Sequence, residues 1–189
     1  MILMSLGPII AIGAAVLLVI ILIGWFISTR NKFIRMDQDV ENSLSRIDVY
    51  LTKRFDLLTK MIETTKGYMK HEKDTLAQVI QMRNPGANAS LKEKAAFDAE
   101  MSSVAKQLSV VVEQYPTLKA DNMFNNLQKA ISEVEENLQA ARSNFNANVS
   151  AFNKAILQFP ASIVAGARFT KKDYFEAEVA KTQDVAMDF

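Results

Sequence analysis

The chain has 189 residues, enough for one membrane anchor and one further domain, and 22 Lys plus Arg against 21 Asp plus Glu leave a net charge of +1. So balanced a chain lacks the cation excess that displaces phosphate counterions, which argues against a nucleic-acid groove and against nucleic acid as a partner. With no cysteine there is no disulfide, no thiolate zinc site and no lipoprotein cysteine.

Residues 1–29 carry no charged side chain, and residues 9–27 are almost wholly apolar. At 1.5 Å per residue this stretch spans about 29 Å, close to the hydrocarbon thickness of a bilayer. Its Leu, Ile, Val and Phe side chains give an insertion energy of at most roughly −4 to −8 kcal/mol. Trp25 stands where an interfacial aromatic is expected. A cleaved signal peptide fits poorly, because there is no basic leader and no small-x-small cleavage site follows Ile27. The segment therefore reads as a transmembrane helix. Lys and Arg are absent before it, whereas Arg30, Lys32 and Arg35 follow it. The positive-inside rule then predicts a single-pass membrane protein with its N-terminus outside and its bulk cytoplasmic. Gly7, Ala11 and Ala15 stand four apart on one face, a spacing that lets helix backbones approach closely, and form the expected transmembrane packing face. No Pro or Gly lies between Trp25 and Tyr50, so the anchor is expected to continue into the next helix as a stiff stalk.

Gly and Pro are scarce, which predicts long helices with few connections. The first apolar stripe runs Val40, Leu44, Ile47, Leu51, Phe55, Leu58, Ile62, Thr65, Met69, Glu72, Leu76, Val79. Its steps alternate three and four, the mark of coiled-coil packing, except for one extra four between Leu51 and Phe55. The stripe turns polar at Thr65 and Glu72, and Asn84-Pro85-Gly86 should end the helix. Ser90 and Glu93 form a capping box for a second helix that runs to about Gln114. It is expected to turn Ala96, Phe97, Met101, Val104, Leu108 and Val111 inward, and Tyr115-Pro116-Thr117 should end it. A last long helix begins near Leu118. Its stripe is Phe124, Leu127, Ile131, Val134, Leu138, Ala141, Phe145, Val149, Phe152, Ile156 and Phe159, with one extra four between Phe145 and Val149. Phe145-Asn146, Phe152-Asn153 and Phe159-Pro160 recur at seven residues, a row that reads as bundle core and not as a cofactor box. After Pro160 the pattern fades, and Lys171-Lys172 reads as a solvated basic spot.

Familiar catalytic chemistry finds no support. His71, followed by Glu72, is the single histidine, so H-E-x-x-H is impossible, and neither a P-loop nor a dinucleotide glycine fingerprint is present. No catalytic, cofactor-binding or metal-ligating residue is assigned, and no cofactor is expected. The carboxylates Glu133, Glu135 and Glu136 read as a solvated helix face. Thr64, Tyr68, His71 and Thr75 form a polar row on the first helix. With Gly67 and Glu72, it marks Thr64, Gly67, Tyr68, His71 and Glu72 as the candidate partner face, against the blander reading of a buried hydrogen-bond layer or a solvated edge.

Several blocks together resemble the LemA family. They are Ile47-Asp48-Val49, Lys53-Arg54-Phe55-Asp56-Leu57, Glu63-Thr64, Lys66-Gly67-Tyr68, His71-Glu72, Thr75-Leu76, Tyr115-Pro116 and Leu118-Lys119-Ala120. Phe124, Leu127-Gln128, Glu135, Arg142, Phe145-Asn146, Val149, Phe152-Asn153, Ile156, Phe159-Pro160 and Tyr174-Phe175 continue the match. The resemblance implies small bacterial membrane proteins with an antiparallel helical bundle and no assigned chemistry, some of them similar to companions of membrane peptidases or to membrane-organising proteins. The family often has Pro where this chain has Thr59; such a Pro would bend or end the first helix near Asp56, which favours four helices over three, whereas Thr59 leaves a continuous helix open.

The resulting expectation is an all-α protein, an N-terminal transmembrane helix followed by an antiparallel bundle of three to four long helices. Its parts are a short exposed N-terminus (1–8), a transmembrane helix (9–28), a helical bundle (29–160) and a C-terminal tail or short helix (161–189). The expected role is a membrane-anchored scaffold or interaction protein of the LemA type. Its partners are the lipid bilayer, other copies of itself as a homo-oligomer and another membrane protein. The alternatives are an adaptor or modulator of a membrane protease or other membrane enzyme, and, less favoured, an enzyme of unknown type using Glu72 and His71.

Overall fold

The structure is a computed structural model that describes residues 6–65, 82, 84–166 and 168–175. Among the described residues there are five helices and no strand: α1 (Leu6–Thr65), α2 (Leu91–Glu113), the single turn α3 (Pro116–Lys119), α4 (Asn122–Leu157) and the short α5 (Ala161–Ala165). The all-α expectation holds, with three long helices in the described part. The chain divides into two compact units, Met1–Val40 with Asn148–Lys172, and Glu41–Ala147 with Asp173–Phe189.

α1 is unbroken, so the anchor segment does continue into the next stretch of helix. The bend expected near Asp56 is absent. A proline at this position would lack an N–H and clash with the preceding turn. Thr59 instead keeps the helix intact, and its hydroxyl donates to the Phe55 carbonyl at 2.9 Å. Residues 7–28 are exposed throughout, and this part of α1 is long and apolar enough to cross a membrane.

The extra four-residue step at Leu51 also disappears. Leu51 and Leu58 are buried, and between them the buried residue is Arg54, 4% exposed, while Phe55 is half-buried. Taken through Arg54, the stripe Leu44, Ile47, Leu51, Arg54, Leu58, Met61, Thr65 alternates three and four without interruption. Thr65 is fully buried and its hydroxyl donates to the Ile62 carbonyl at 2.8 Å, which satisfies the polar atom locally.

In the second unit α2 starts as expected. Ser90 Oγ accepts from the Glu93 N–H at 3.2 Å, and Glu93 Oε2 accepts from the Ser90 N–H at 2.7 Å. Ahead of it, Gly86 takes a positive φ of 80°, and its N–H donates to Asn84 Oδ1 at 3.0 Å. Asp48 pairs with Lys94 and Arg54 with Asp98, so positions rise together along α1 and α2 and the two helices run parallel. α4 returns antiparallel to both: Arg54 meets Glu135 and Asp98 meets Arg142, while the later residues Leu58 and Met61 of α1 and Leu108 and Val112 of α2 share a cleft with the earlier residues Ile131, Gln128 and Phe124 of α4.

α2 keeps its expected phase, with Phe97, Met101, Val104 and Leu108 buried; Ala96 is not buried with them, and Lys94 and Asp98 complete the inward face. The side chain of Val111 lies outside the described set. α4 begins at Asn122 and not near Leu118, because Asp121 Oδ1 accepts from the N–H groups of Met123 and Phe124 at 2.7 and 3.1 Å. Leu118 is fully buried from α3 instead.

In the first unit the rings of Phe33, Phe152 and Phe169 meet, with centroids 5.3 Å apart for Phe33–Phe169 and 6.3 Å for Phe152–Phe169. Such tilted and edge-on pairs suit the aromatic quadrupole. Lys172 is no solvated spot. Its ammonium lies 2.6 Å from Asp37 Oδ1 and 5.6 Å from the Phe152 ring centroid. Phe159, expected in the core row, is 82% exposed, because α4 ends at Leu157 and its register ends with it.

Candidate functional site

The chemistry-bearing centre of the second unit is a cluster of four charged side chains from three helices. α1 supplies Arg54 and α2 supplies Asp98. α4 supplies Glu135 and Arg142, seven residues apart and so on one face. Arg54 Nη1 donates to Asp98 Oδ1 at 2.7 Å and to the Asp98 carbonyl at 3.4 Å, while Nη2 donates to Glu135 Oε1. Arg142 Nη2 donates to Asp98 Oδ2, and its guanidinium stacks 5.3 Å from the Phe175 ring centroid. Asp98 thus bridges two guanidinium groups, one on each oxygen.

The side chain of Arg54 is 5% exposed and that of Asp98 11%, so the bridge is desolvated, whereas Glu135 at 44% reaches water. Two cations and two anions cancel, as burial requires. Burial pushes the Arg142 guanidinium below its usual pKa, Asp98 opposes the shift, and the neighbouring Arg54 adds to it. The group stays cationic, as arginine does in proteins. A second buried cation, Lys94, is fully enclosed and donates to Asp48 Oδ1 and, at 2.9 Å, to the Ala87 carbonyl.

Beside this cluster lies a cleft of about 440 Å³. Arg54, Leu58, Leu108 and Ile131 form its floor, and Ser102, Ser109, Gln128 and Ser132 offer neutral donors and acceptors along it. Lys106 and Glu113 also line it, and the carboxylates of the adjoining cluster, Asp98 and Glu135, are engaged by guanidinium groups. Among the described residues no group of three or more His, Cys, Asp or Glu is gathered to hold a metal ion.

Two asparagines add an organising device that the seven-residue repeat foreshadowed. Asn146 donates to the Phe175 carbonyl at 3.1 Å and accepts from the Phe175 N–H at 2.8 Å. Asn153 treats Lys172 in the same way, at 2.9 Å for each bond. Each amide replaces a neighbouring peptide group, so the backbone donor and acceptor of Lys172 and of Phe175 are satisfied without a strand partner.

Of the residues singled out from sequence, Gly7, Ala11 and Ala15 lie on the exposed part of α1, and a Cβ added at Gly7 would meet nothing within 4 Å. Thr64 is half-buried and its hydroxyl donates to the Lys60 carbonyl at 2.9 Å. Gly67, Tyr68, His71 and Glu72 lie outside the described residues, as do Met69, Thr75, Leu76 and Val79. Sequence reasoning missed the Arg54–Asp98 centre and read Glu135 as a solvated face. The signal was the unbroken alternation of steps through Arg54, which an apolar-only stripe skips.

Residues 43–189 match the family model described as LemA family. The chain is similar to Protein LemA of Metamycoplasma hominis, 26% identical over 162 residues that cover 85% of this chain and 72% of that one. It is similar to Magnetosome protein MamQ 2 of Paramagnetospirillum magneticum, 22% identical over 203 residues, with coverage of 92% and 75%. Magnetosome protein MamQ of Magnetospirillum gryphiswaldense is 21% identical over 208 residues, with coverage of 94% and 76%. The cluster residues Arg54, Asp98, Glu135 and Arg142 all fall within the matched span.

Proposed function

The chain belongs to the LemA family, and from that premise we propose that it is a non-enzymatic, membrane-anchored interaction protein that associates with copies of itself at the membrane. One observation carries the reading: the charge-free, exposed first part of α1 (residues 7–28) continues without a break into a helical domain in which, among the described residues, the buried charges Arg54, Lys94 and Asp98 are paired. The membrane crossing is single, with the N-terminus outside and the helical domain cytoplasmic, as Arg30, Lys32 and Arg35 direct. Self-association runs through the anchor face of Gly7, Ala11 and Ala15, where small side chains admit a second helix. Mass photometry of the full chain in nanodiscs should show oligomers, and replacing Ala11 and Ala15 by Leu should shift them towards monomer. Monomers alone from the unaltered chain would remove the reading.

The open cleft between α1, α2 and α4 favours a second reading, an adaptor for a membrane protease or other membrane enzyme. Its serines and Gln128 suit a partner's backbone or polar side chains, and the sequence row Thr64, Gly67, Tyr68, His71 and Glu72 is the other candidate recognition face. Crosslinking in cells separates the two readings. A heterologous membrane protein captured by the unaltered chain, and lost on substitution of Ser109 or His71, would favour the adaptor.

A further inference from the structure

Residues 155–167 carry no charged side chain and are bracketed by Lys154 and Arg168. Within this stretch Leu157 is 59% exposed, Phe159 82% and Ile163 68%, while Val164 and Ala165 are buried. α5 is therefore apolar on its outer side as well as its inner one, which a water-facing turn would not be.

The register within this unit places the patch along α1. Asn148 Nδ2 donates to the Asp39 carbonyl at 3.3 Å, and Phe33 and Phe152 share the Phe169 ring. α4 and α1 are thus antiparallel here. Nine residues from Asn148 bring α4 to its end at Leu157, and nine residues back from Asp39 bring α1 to Arg30, both about 13 Å away. The burial pattern agrees, because Thr29 and Arg30 are the first half-covered residues after the exposed run 7–28. The segment from Leu157 to Arg168 leaves α4 at that level and returns at Phe169, beside Phe33. Its exposed apolar residues therefore lie at the height of Trp25 to Arg30, where the anchor leaves the hydrocarbon.

We propose that the α4–α5 turn is a membrane-seating tip. Leu157, Phe159 and Ile163 enter the interfacial layer of the leaflet at the C-terminal end of the anchor, and exposed Lys154, Arg168 and Lys171 meet anionic lipid headgroups. The proposal rests on the transmembrane reading of residues 9–28. It adds a second point of contact to that membrane, so that the unit is seated against the bilayer and not merely tethered to it. The occupant is lipid and not a second protein because the patch sits at the bilayer surface by register, and its apolar centre with a cationic rim is the chemistry of an interfacial segment.

The chain has no cysteine, so single labelled sites can be introduced one at a time. A bimane label at Phe159→Cys is compared with one at Leu17→Cys in the anchor and one at Ser143→Cys on the exposed face of α4. All three are read in the full chain, reconstituted in phosphatidylcholine vesicles with and without phosphatidylglycerol. The Phe159 site should be quenched severalfold more than the Ser143 site by lipids with a nitroxide near the headgroup, and severalfold less by iodide. Replacing Lys154, Arg168 and Lys171 by Gln should weaken that lipid quenching in phosphatidylglycerol vesicles alone, by up to about fivefold per cation. A Phe159 label reached by iodide while the Leu17 label is reached by lipid quenchers would overturn the tip and leave the anchor standing. A Phe159 label shielded from both quenchers would mean that protein covers the patch, and would equally overturn it. A Leu17 label in water would overturn the anchor and the tip together.

Discussion

Around Phe152 three stretches of chain meet through rings, whereas around Asp98 three helices meet through charges. The two centres use opposite physics on the same α1 and α4. Ring packing is non-directional and strong per buried area, and it tolerates small shifts. A desolvated ion cluster adds little net stability, because dehydration offsets most of the attraction, yet it penalises any register that leaves a charge unpaired. The aromatic centre thus holds its segments together, and the ionic centre is expected to penalise pairings of α1, α2 and α4 other than the one observed.

That contrast can be broken from either side. Truncating Phe152, 1% exposed, to Ala should cost about 3–5 kcal/mol, read as a lowered urea midpoint of the full chain in detergent. Asp98→Ala should cost a similar 3–5 kcal/mol or so, because two guanidinium groups lose their shared partner. The distinguishing variant replaces the whole cluster, with Arg54→Met, Asp98→Leu, Arg142→Met and Glu135→Gln. It should unfold no more easily than the unaltered chain and be more stable by up to about 4 kcal/mol, while spin-label distances between α1 and α2 broaden. Unchanged, narrow distances in that variant would deny the cluster its role in register.

Smaller effects sharpen the comparison. Asn153→Ala in the aromatic unit and Asn146→Ala in the ionic one each leave a backbone donor and acceptor without partners. Each should cost about 1–3 kcal/mol, with faster amide exchange at Lys172 and Phe175 respectively. Smallest is the cap of α2, where Ser90→Ala should cost about 1 kcal/mol in thermal melts. The Ser90 N–H, and then its hydroxyl, hold the Glu93 carboxyl below its ordinary pKa. A carboxyl with a lowered folded pKa stabilises the fold above its unfolded pKa, and that contribution is lost as pH falls through the folded value. Glu93→Gln should therefore lower stability at neutral pH, flatten the acid limb of stability against pH, and leave the slope of its neutral-to-alkaline part unchanged.

The α2 cap was legible in the sequence because its groups lie within four residues of each other, where backbone geometry alone brings them together. The ionic centre was not. Arg54 and Asp98 are 44 residues apart, and a stripe drawn only through apolar residues chose Phe55 over Arg54 and Ala96 over Lys94. The choice followed the usual cost of burying a charge, which here is removed by partners on other helices. Phe159 failed for the opposite reason. Its heptad spacing was right, but a heptad has meaning only while the helix lasts, and α4 stops two residues earlier.

By itself the sequence determined the long apolar start of α1, the helical class, the capping box and most of the long stripes, all of which depend on neighbours within a turn or two of the chain. Tertiary structure alone decided which residue of each stripe is buried, the parallel course of α1 and α2, the clamping of Lys172 and Phe175 by Asn153 and Asn146, and the height of the Phe159 turn along α1. Those outcomes depend on pairing between segments distant in sequence. A side chain's environment there is set by the partner it meets, not by its own hydropathy.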